Sequence, residues 1–431
     1  MSHGSRLSRR TLLRAGATLA LPYVLGRCAT PESKAGLLPD PAGILDLPEG
    51  FTYRVLERRG DAMDDGFRVP GSPDGMGVFP GEGNTLVLMR NHELNPGQES
   101  VGPYSGQPPA QMYRPEDRSP GGVTRLVVDA TTFDRVSSNL VLVGSSRNCA
   151  GGHSPWGWLT CEENMATGHG YVFLCDPAAS TVQPPVRIPA LGRRNHEAAV
   201  TDPSTLVTYL TEDRGDSCFY RFVPEAPGER LGPSSRGRLQ ALSVVGEPRR
   251  DMNRAKAGDT FEAGWVDLPR PDAEDDSLRA QGADRGAAIF RRGEGIYLHQ
   301  GAVYFCATTG GPANGGQIWR YMPSGPDGGA LHLLAQSEDR SELDMPDNLC
   351  VAPWGDVVLA EDGDDARWPN EFLRILTPSG QVKNLARNAL SSSEWAGVCF
   401  SPDGRALFVN MQADGITVVI TGPFQAYTGT R

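Results

Sequence analysis

One shape recurs six times along this chain: a turn, a strand of four or five apolar residues, a polar cluster, a short loop, and a second strand that stops near a proline. The stretches are "NTLVLMRNHE" (84–93), "WGWLTCEEN" (156–164), "STLVTYLTEDRGDSCFYRFVP" (204–224), "GAVYFCATTGGPANGGQIWRYMP" (301–323), "GDVVLAEDGDDARWPNEFLRILTP" (355–378) and "GRALFVNMQADGITVVITGP" (404–423). Repeats of roughly 40 residues or more, each one small antiparallel unit, are the mark of a β-propeller. In that architecture the innermost strand of each blade lines a central channel, so corresponding strand ends converge at its mouth. A β-sandwich would account for the strands but not for the return of polar residues at their ends. "SPDG" at 72–75 and again at 401–404 reads as a tight turn opening a blade strand. The expected fold is therefore all-β, a six-bladed β-propeller occupying residues 45–431 as one domain, in a chain whose 52 Gly and 35 Pro make turns frequent.

Residues 225–290 break the rhythm. They are polar and include "PRPDAEDD", which predicts an insertion over one end of the propeller, with a short helix within 277–292. Residues 31–44 read as a linker. Ahead of them, residues 1–30 hold paired arginines (Arg9, Arg10) followed by a short, mildly apolar run, the order of parts in a twin-arginine export signal. The run is too short for a lasting membrane span. Arg27 before Cys28 spoils a lipoprotein cleavage box, so no stable membrane anchor is expected. The expected partner is the twin-arginine translocation machinery and the destination periplasmic or secreted. Proteins exported by that route travel folded, which lets a cofactor be acquired first. A net charge of −11 argues against a nucleic-acid partner.

The polar strand ends are rich in oxygen ligands: Glu93, Glu162, Glu163, Glu197, Glu212, Asp213, Asp216, Glu294, Asp347, Glu361, Asp362 and Glu394. A lone carboxylate is usually a solvated surface group. Several gathered around one channel repel one another unless cations lie between them. Calcium accepts six to eight such oxygens, whereas a thiolate suits a transition metal. Four of the eight cysteines (175, 306, 350 and 399) sit in apolar, strand-like runs, and no C-x-x-C pair occurs, which excludes the usual structural zinc pattern. Cys149 stands apart, between Asn148 and a Gly-Gly turn, and predicts an iron-like site with calcium-like surroundings. "RNHE" occurs at 90–93 and 194–197. Neighbouring side chains on a strand point to opposite faces, which favours supporting roles for His92 and His196.

With "NCAGG…PWGWLTCEEN" (148–164), "RNHE", "YLTED…CFYRF", "MPDN" and "FSPDG…LFVN", the chain from about residue 45 onward resembles the PhoX-type alkaline phosphatases. That resemblance implies a six-bladed propeller holding an iron–calcium cluster that hydrolyses phosphomonoesters outside the cytoplasm. It also implies Cys149 as an iron ligand, Glu93, Glu163 and Glu197 as carboxylate ligands, Asp213 as a calcium ligand, and Asp347 in "MPDN" as a metal ligand by a looser match. Arg292 and Glu294 match the family's Arg-x-Glu element, in which the arginine holds phosphate and the glutamate binds metal. Glu162 beside Glu163, and Asp216 beside Asp213, remain alternatives. The chain departs from the family in its shorter length, in the one residue missing from "PWGWLT", and in "RRGEG" around Glu294. There is no G-x-S-x-G, P-loop or dinucleotide fingerprint, so neither a serine nucleophile nor a nucleotide cofactor is implied. Two other readings keep the propeller: another hydrolase such as a lactonase or phosphodiesterase, or a calcium-stabilised binding module. Cys149 counts against both, since calcium has no use for a thiolate. Arg292 beside Glu294 counts against a lactonase, whose substrate has no phosphate to clamp, and the density of carboxylates at the strand ends counts against a binding module. Oligomeric state is not legible in the sequence.

Overall fold

The computed structural model describes residues 36–226, 228–363 and 371–430. The expected leader, with Cys28, lies outside the described residues. The architecture is all-β and propeller-like. Central strands such as Thr85–His92 (TLVLMRNH) are buried along almost their whole length, because both faces pack on neighbouring sheets. Their continuous apolar character follows from that double burial. Outer strands such as Thr52–Arg58 alternate exposed and covered residues, as a strand with one wet face must.

The strands group into five antiparallel sheets rather than six separate blades. Two are four-stranded, one running from Pro73–Pro80 to Arg135–Ser145 and the other containing Trp395–Phe400. A three-stranded sheet holds Gly152–Ser154, Gly157–Cys161 and Val172–Cys175. A six-stranded sheet contains Pro346–Val351 and extends outward to Leu37–Leu38. The fifth sheet has nine strands because Thr260–Asp267 pairs with Gly237–Val244 on one side and Gly329–Gln336 on the other, joining two meanders. It curls until its edge strands, His196–Thr201 and Gly293–His299, meet again. Residues 225–290, expected as an insertion over one end, thus supply two ladder strands as well as the helix Leu278–Asp284. Residues 36–44, expected within a linker, supply the edge strand Leu37–Leu38.

Six edge strands face the centre and pack in a closed ring: Pro73–Pro80, Gly152–Ser154, His196–Thr201, Gly293–His299, Pro346–Val351 and Trp395–Phe400, the last returning to the first. The ring is locked near the chain ends, where Thr52–Arg58 completes the sheet of Ile416–Thr421, with Thr52 opposite Thr421.

Candidate metal centre

In each inner hairpin, antiparallel pairing sets the start of the channel strand beside the end of its partner. The register pairs Pro73 with His92, His196 with Glu212, and Pro346 with Glu361, while a bridge joins Asn148 to Glu162. Next to these pairs, and gathered at the same end of the channel, stand Asp74 and Glu93, Cys149 and Glu163, Glu197 and Asp213, and Asp347 and Asp362. Five of the six inner strands also carry a register shift at or just beyond this point, between Pro73/Met76, His196/Ala199, Gly293/Ile296, Pro346/Asn348 and Ala396/Cys399. Such bulges re-aim a side chain out of the alternating pattern, here toward the centre.

Close approach of the strands depends on glycine. A Cβ on Gly75 would lie 1.7 Å from the Ala150 carbonyl oxygen, and one on Gly397 would lie 2.2 Å from that of Asp74. Backbones that meet this tightly bring ligands from different sheets within reach of one another. The loop bearing Cys149 is tied down in the same way: Ala150 N–H donates to Glu197 Oε1 (3.1 Å), and Asn91 Nδ2 donates to the Cys149 carbonyl. Further along the same strands the channel is apolar, a cavity of ≈ 310 Å³ lined by residues such as Met76, Trp158, Ile296 and Val398.

Among the described residues, four overlapping triads have ligand atoms within 4.8 Å of one another: Asp74, Glu93, Cys149; Cys149, Glu163, Glu197; Glu197, Glu294, Asp347; and Asp347, Asp362, Glu394. Shared members make them one continuous band. Burial and the mutual repulsion of these acids push the carboxyls of Asp74, Glu197, Glu294 and Glu394 well above the ordinary carboxylate range. Glu163 is pushed up to about 7, by burial first and then by Asp213 and Glu93, against the pull of Arg147. Asp347 as a whole residue keeps partial exposure, but its carboxyl is enclosed and pushed up to about 8 by burial and Asp362. The Cys149 thiol, buried among Glu197, Glu93 and Glu163, is raised as well. Without cations these groups favour their protonated forms more than free side chains do; cations would take the protons' place. Asp74 Oδ1 is buried with no hydrogen-bond partner among the described residues, an acceptor awaiting a cation.

Two arginines rim the band. Arg292 donates from Nε and Nη2 to the two oxygens of Asp213 (2.7 and 3.0 Å) and pairs with Glu294 at 2.9 Å. Arg147 pairs with Glu93 at 2.9 Å and with Glu163. Asn195 Nδ2 donates to Glu163 Oε1 (2.7 Å) and reaches the Asp213 carbonyl (3.5 Å), linking the partners of the two arginines. Gln412 closes the other side, donating to Asp74 (2.9 Å) and Glu93 (2.8 Å).

Of the expected ligands, Glu93, Cys149, Glu163, Glu197, Glu294 and Asp347 come together in the band, whereas Asp213 belongs to no triad and instead binds Arg292. Glu162 points away, accepting from Ser146 N and Gly170 N (both 3.0 Å) with His169 Nδ1 at 2.7 Å. Asp216 is exposed and pairs with Arg279. Glu212 and Glu361 are buried against Tyr220 and Arg374 respectively. His92 and His196 bond backbone carbonyls of Gly71 and Gly192, supporting the loops rather than joining a triad. Sequence reasoning missed Asp74, which sits inside a turn-like "SPDG" but lies on the strand Pro73–Pro80, and it missed Arg147. Asp362 and Glu394 were strand-end acids that reasoning did not carry into the ligand set.

The family description "Alkaline phosphatase PhoX" matches residues 33–139 and 132–415. The chain belongs to the PhoX alkaline phosphatase family. Among solved structures it is similar to Pseudomonas fluorescens PhoX, captured with vanadate as a transition-state analogue. That match has 20% identity and a TM-score of 0.66, and covers 88% of this chain and 96% of that one. Weaker likenesses include the Xanthomonas campestris gluconolactonase XC5397 (11% identity, 90% and 98% coverage, TM-score 0.38). Another is the Cps50 β-propeller domain of Myceliophteria thermophila (12% identity, 83% and 98% coverage, TM-score 0.44). No curated protein sequence matches. At such identities the structural likeness establishes the fold alone, and the family assignment rests on the sequence match.

Proposed function

We propose that this chain is an exported phosphomonoesterase whose active centre is an iron–calcium cluster held by the acidic band. The observation that carries the reading is the convergence of a thiol, buried carboxyls and the Arg292 fork on one end of the channel. Cys149 is the donor suited to iron, and the flanking carboxylates are suited to calcium. On this reading the nine-stranded sheet counts as two blades bridged by Thr260–Asp267, giving six in all. Export by the twin-arginine route is part of the same proposal. No helix among the described residues is long and apolar enough to cross a membrane.

When bound, the cations would supply Lewis-acid neutralisation of the charge that builds on a phosphoryl group. The protein's own residues do the positioning. Arg292, held by Asp213 and Glu294, offers phosphate a planar, permanently charged donor. Its guanidinium is locked further into the charged form by those carboxylates, so it does not serve as a proton donor. Glu294 belongs both to this pair and to the third triad, coupling the phosphate's orientation to the band. Burial of the triads keeps water from screening these interactions. The test is hydrolysis of p-nitrophenyl phosphate before and after chelation, with iron and calcium returned separately and together. Loss on chelation and recovery with both metals is expected; unchanged turnover in chelated, metal-free protein would refute the assignment.

A further inference from the structure

We propose that Arg147 is a second phosphate-binding residue, gripping the substrate together with Arg292; the inference rests on the phosphatase reading above. Four observations carry it.

First, the two arginines are built alike. Both hold a left-handed backbone, φ 51° at Arg147 and 55° at Arg292, which non-glycine residues rarely adopt. In each, the N–H donates to a neighbouring carbonyl (Leu94 at 3.0 Å; Arg214 at 3.0 Å). Each carbonyl accepts in turn, from Glu163 N–H at 2.9 Å and from Thr308 N–H at 2.9 Å. Strain held in place by flanking bonds is typical of residues whose direction matters.

Second, both sit on the rim. The Arg147 side chain is 37% exposed and that of Arg292 30%, whereas their partners Glu163 and Glu294 are 7% and 4% exposed. Each arginine side chain therefore keeps part of its surface open to solvent, while the carboxylates it binds are enclosed.

Third, neither fork is used up. Arg147 spends Nε and Nη2 on Glu93 and Glu163, and Arg292 spends the same atoms on Asp213 and Glu294. Among the described residues no hydrogen bond reaches Nη1 of either, so each keeps donors free for a phosphate oxygen.

Fourth, they flank one site. Arg147 borders the two triads that share Cys149, Arg292 borders the triad of Glu197, Glu294 and Asp347, and Asn195 ties their partners together. The triads the two arginines border are joined through Glu197, so both stand on one continuous band.

The test uses the full, metal-loaded chain and inorganic phosphate. Dissociation constants are read by titration calorimetry for wild type, Arg147→Lys and Arg147→Gln, with metal content measured on the same samples and KM and kcat for p-nitrophenyl phosphate alongside. Loss of a charge-assisted contact weakens phosphate binding by about 10- to 100-fold. Arg147→Gln should show that loss in its loaded fraction, with KM raised. Arg147→Lys, keeping charge but not the fork, should fall between. An unchanged phosphate constant in the loaded fraction overturns the assignment, whatever the metal content. So does a failure of both variants to load metal, because the arginine then serves only its carboxylates. A wild type that neither binds phosphate nor hydrolyses the ester sinks the phosphatase reading itself; an active wild type with unaltered variants sinks only the role of Arg147.

Discussion

Replacing Glu163 by Gln isolates what the acids cost when no cation is present. Gln is nearly isosteric and keeps an oxygen for Asn195 Nδ2, which donates to Glu163 Oε1 at 2.7 Å in the native protein. Burial and the neighbouring acids lift the Glu163 carboxyl from 4.5 to about 7. A displacement of that size corresponds to about 3 kcal/mol of folding free energy once the group is ionised in both states. The sign follows from which state protonates first. Below pH ~4.5 both folded and unfolded forms carry the proton and the penalty is absent. As pH rises toward 7 the unfolded chain ionises while the folded one resists, and above 7 the whole penalty applies. Metal-free Glu163→Gln should therefore gain on metal-free wild type by up to about 3 kcal/mol between pH 4 and pH 8. Urea denaturation of chelated samples across that range reads the difference. With calcium and iron supplied the order should reverse, since the variant lacks a ligand. A stability difference between the two metal-free proteins that does not change with pH would falsify the crowded-carboxylate argument.

Other outcomes follow from the same geometry. Metal loading should release protons, and the apparent affinity of chelated protein for calcium should climb with pH through about 7 to 8, where Glu163 and Asp347 let go of theirs; affinity flat across that window would contradict it. Gly75→Ala places a methyl group 1.7 Å from the Ala150 carbonyl oxygen. It should cost upwards of about 2 kcal/mol and lower metal content as Asp74 is displaced; near-native stability and loading would show that the seam gives more easily than the packing implies. At His169 burial disfavours the charged ring, but bonds to Glu162 and Asp117 outweigh it and raise its pKa. Its stabilisation is complete below the unfolded value of about 6.5 and fades as pH rises through the higher folded one. His169→Gln should therefore be more destabilising at pH 6 than at pH 9, and an equal loss at both would refute the charged pair.

The architecture was legible because it repeats. Apolar runs that end in acids, such as "VVLAED" and "LVLMRNHE", state both the strand and the converging end. The merging of two meanders was not legible, since Thr260–Asp267 (TFEAGWVD) shows nothing in its pattern to say which of two neighbours it will bridge. The site was partly legible for a related reason. Cys149 and Glu163 announce themselves by chemistry, but the aim of a side chain depends on bulges that strict alternation does not foresee. Asp74 is the clearest case: a turn-forming tetrapeptide hid a strand residue whose register shift turns it into the band. The choice between Glu162 and Glu163 likewise needed the geometry, because adjacent residues face opposite ways and only structure shows which way is inward. Asp213 carries the right charge at the right strand end, and in the structure its carboxylate accepts from Arg292. Arg147 went unmarked because, next to Asn148 and Cys149, it reads as a flank of the motif rather than as part of the rim.

The most direct measurement is elemental analysis of the purified full chain beside a Cys149→Ala variant purified the same way. The account predicts iron together with calcium in the native chain, and loss of iron with retention of fold in the variant. Calcium alone, unchanged by the substitution, would contradict the mixed centre at its root.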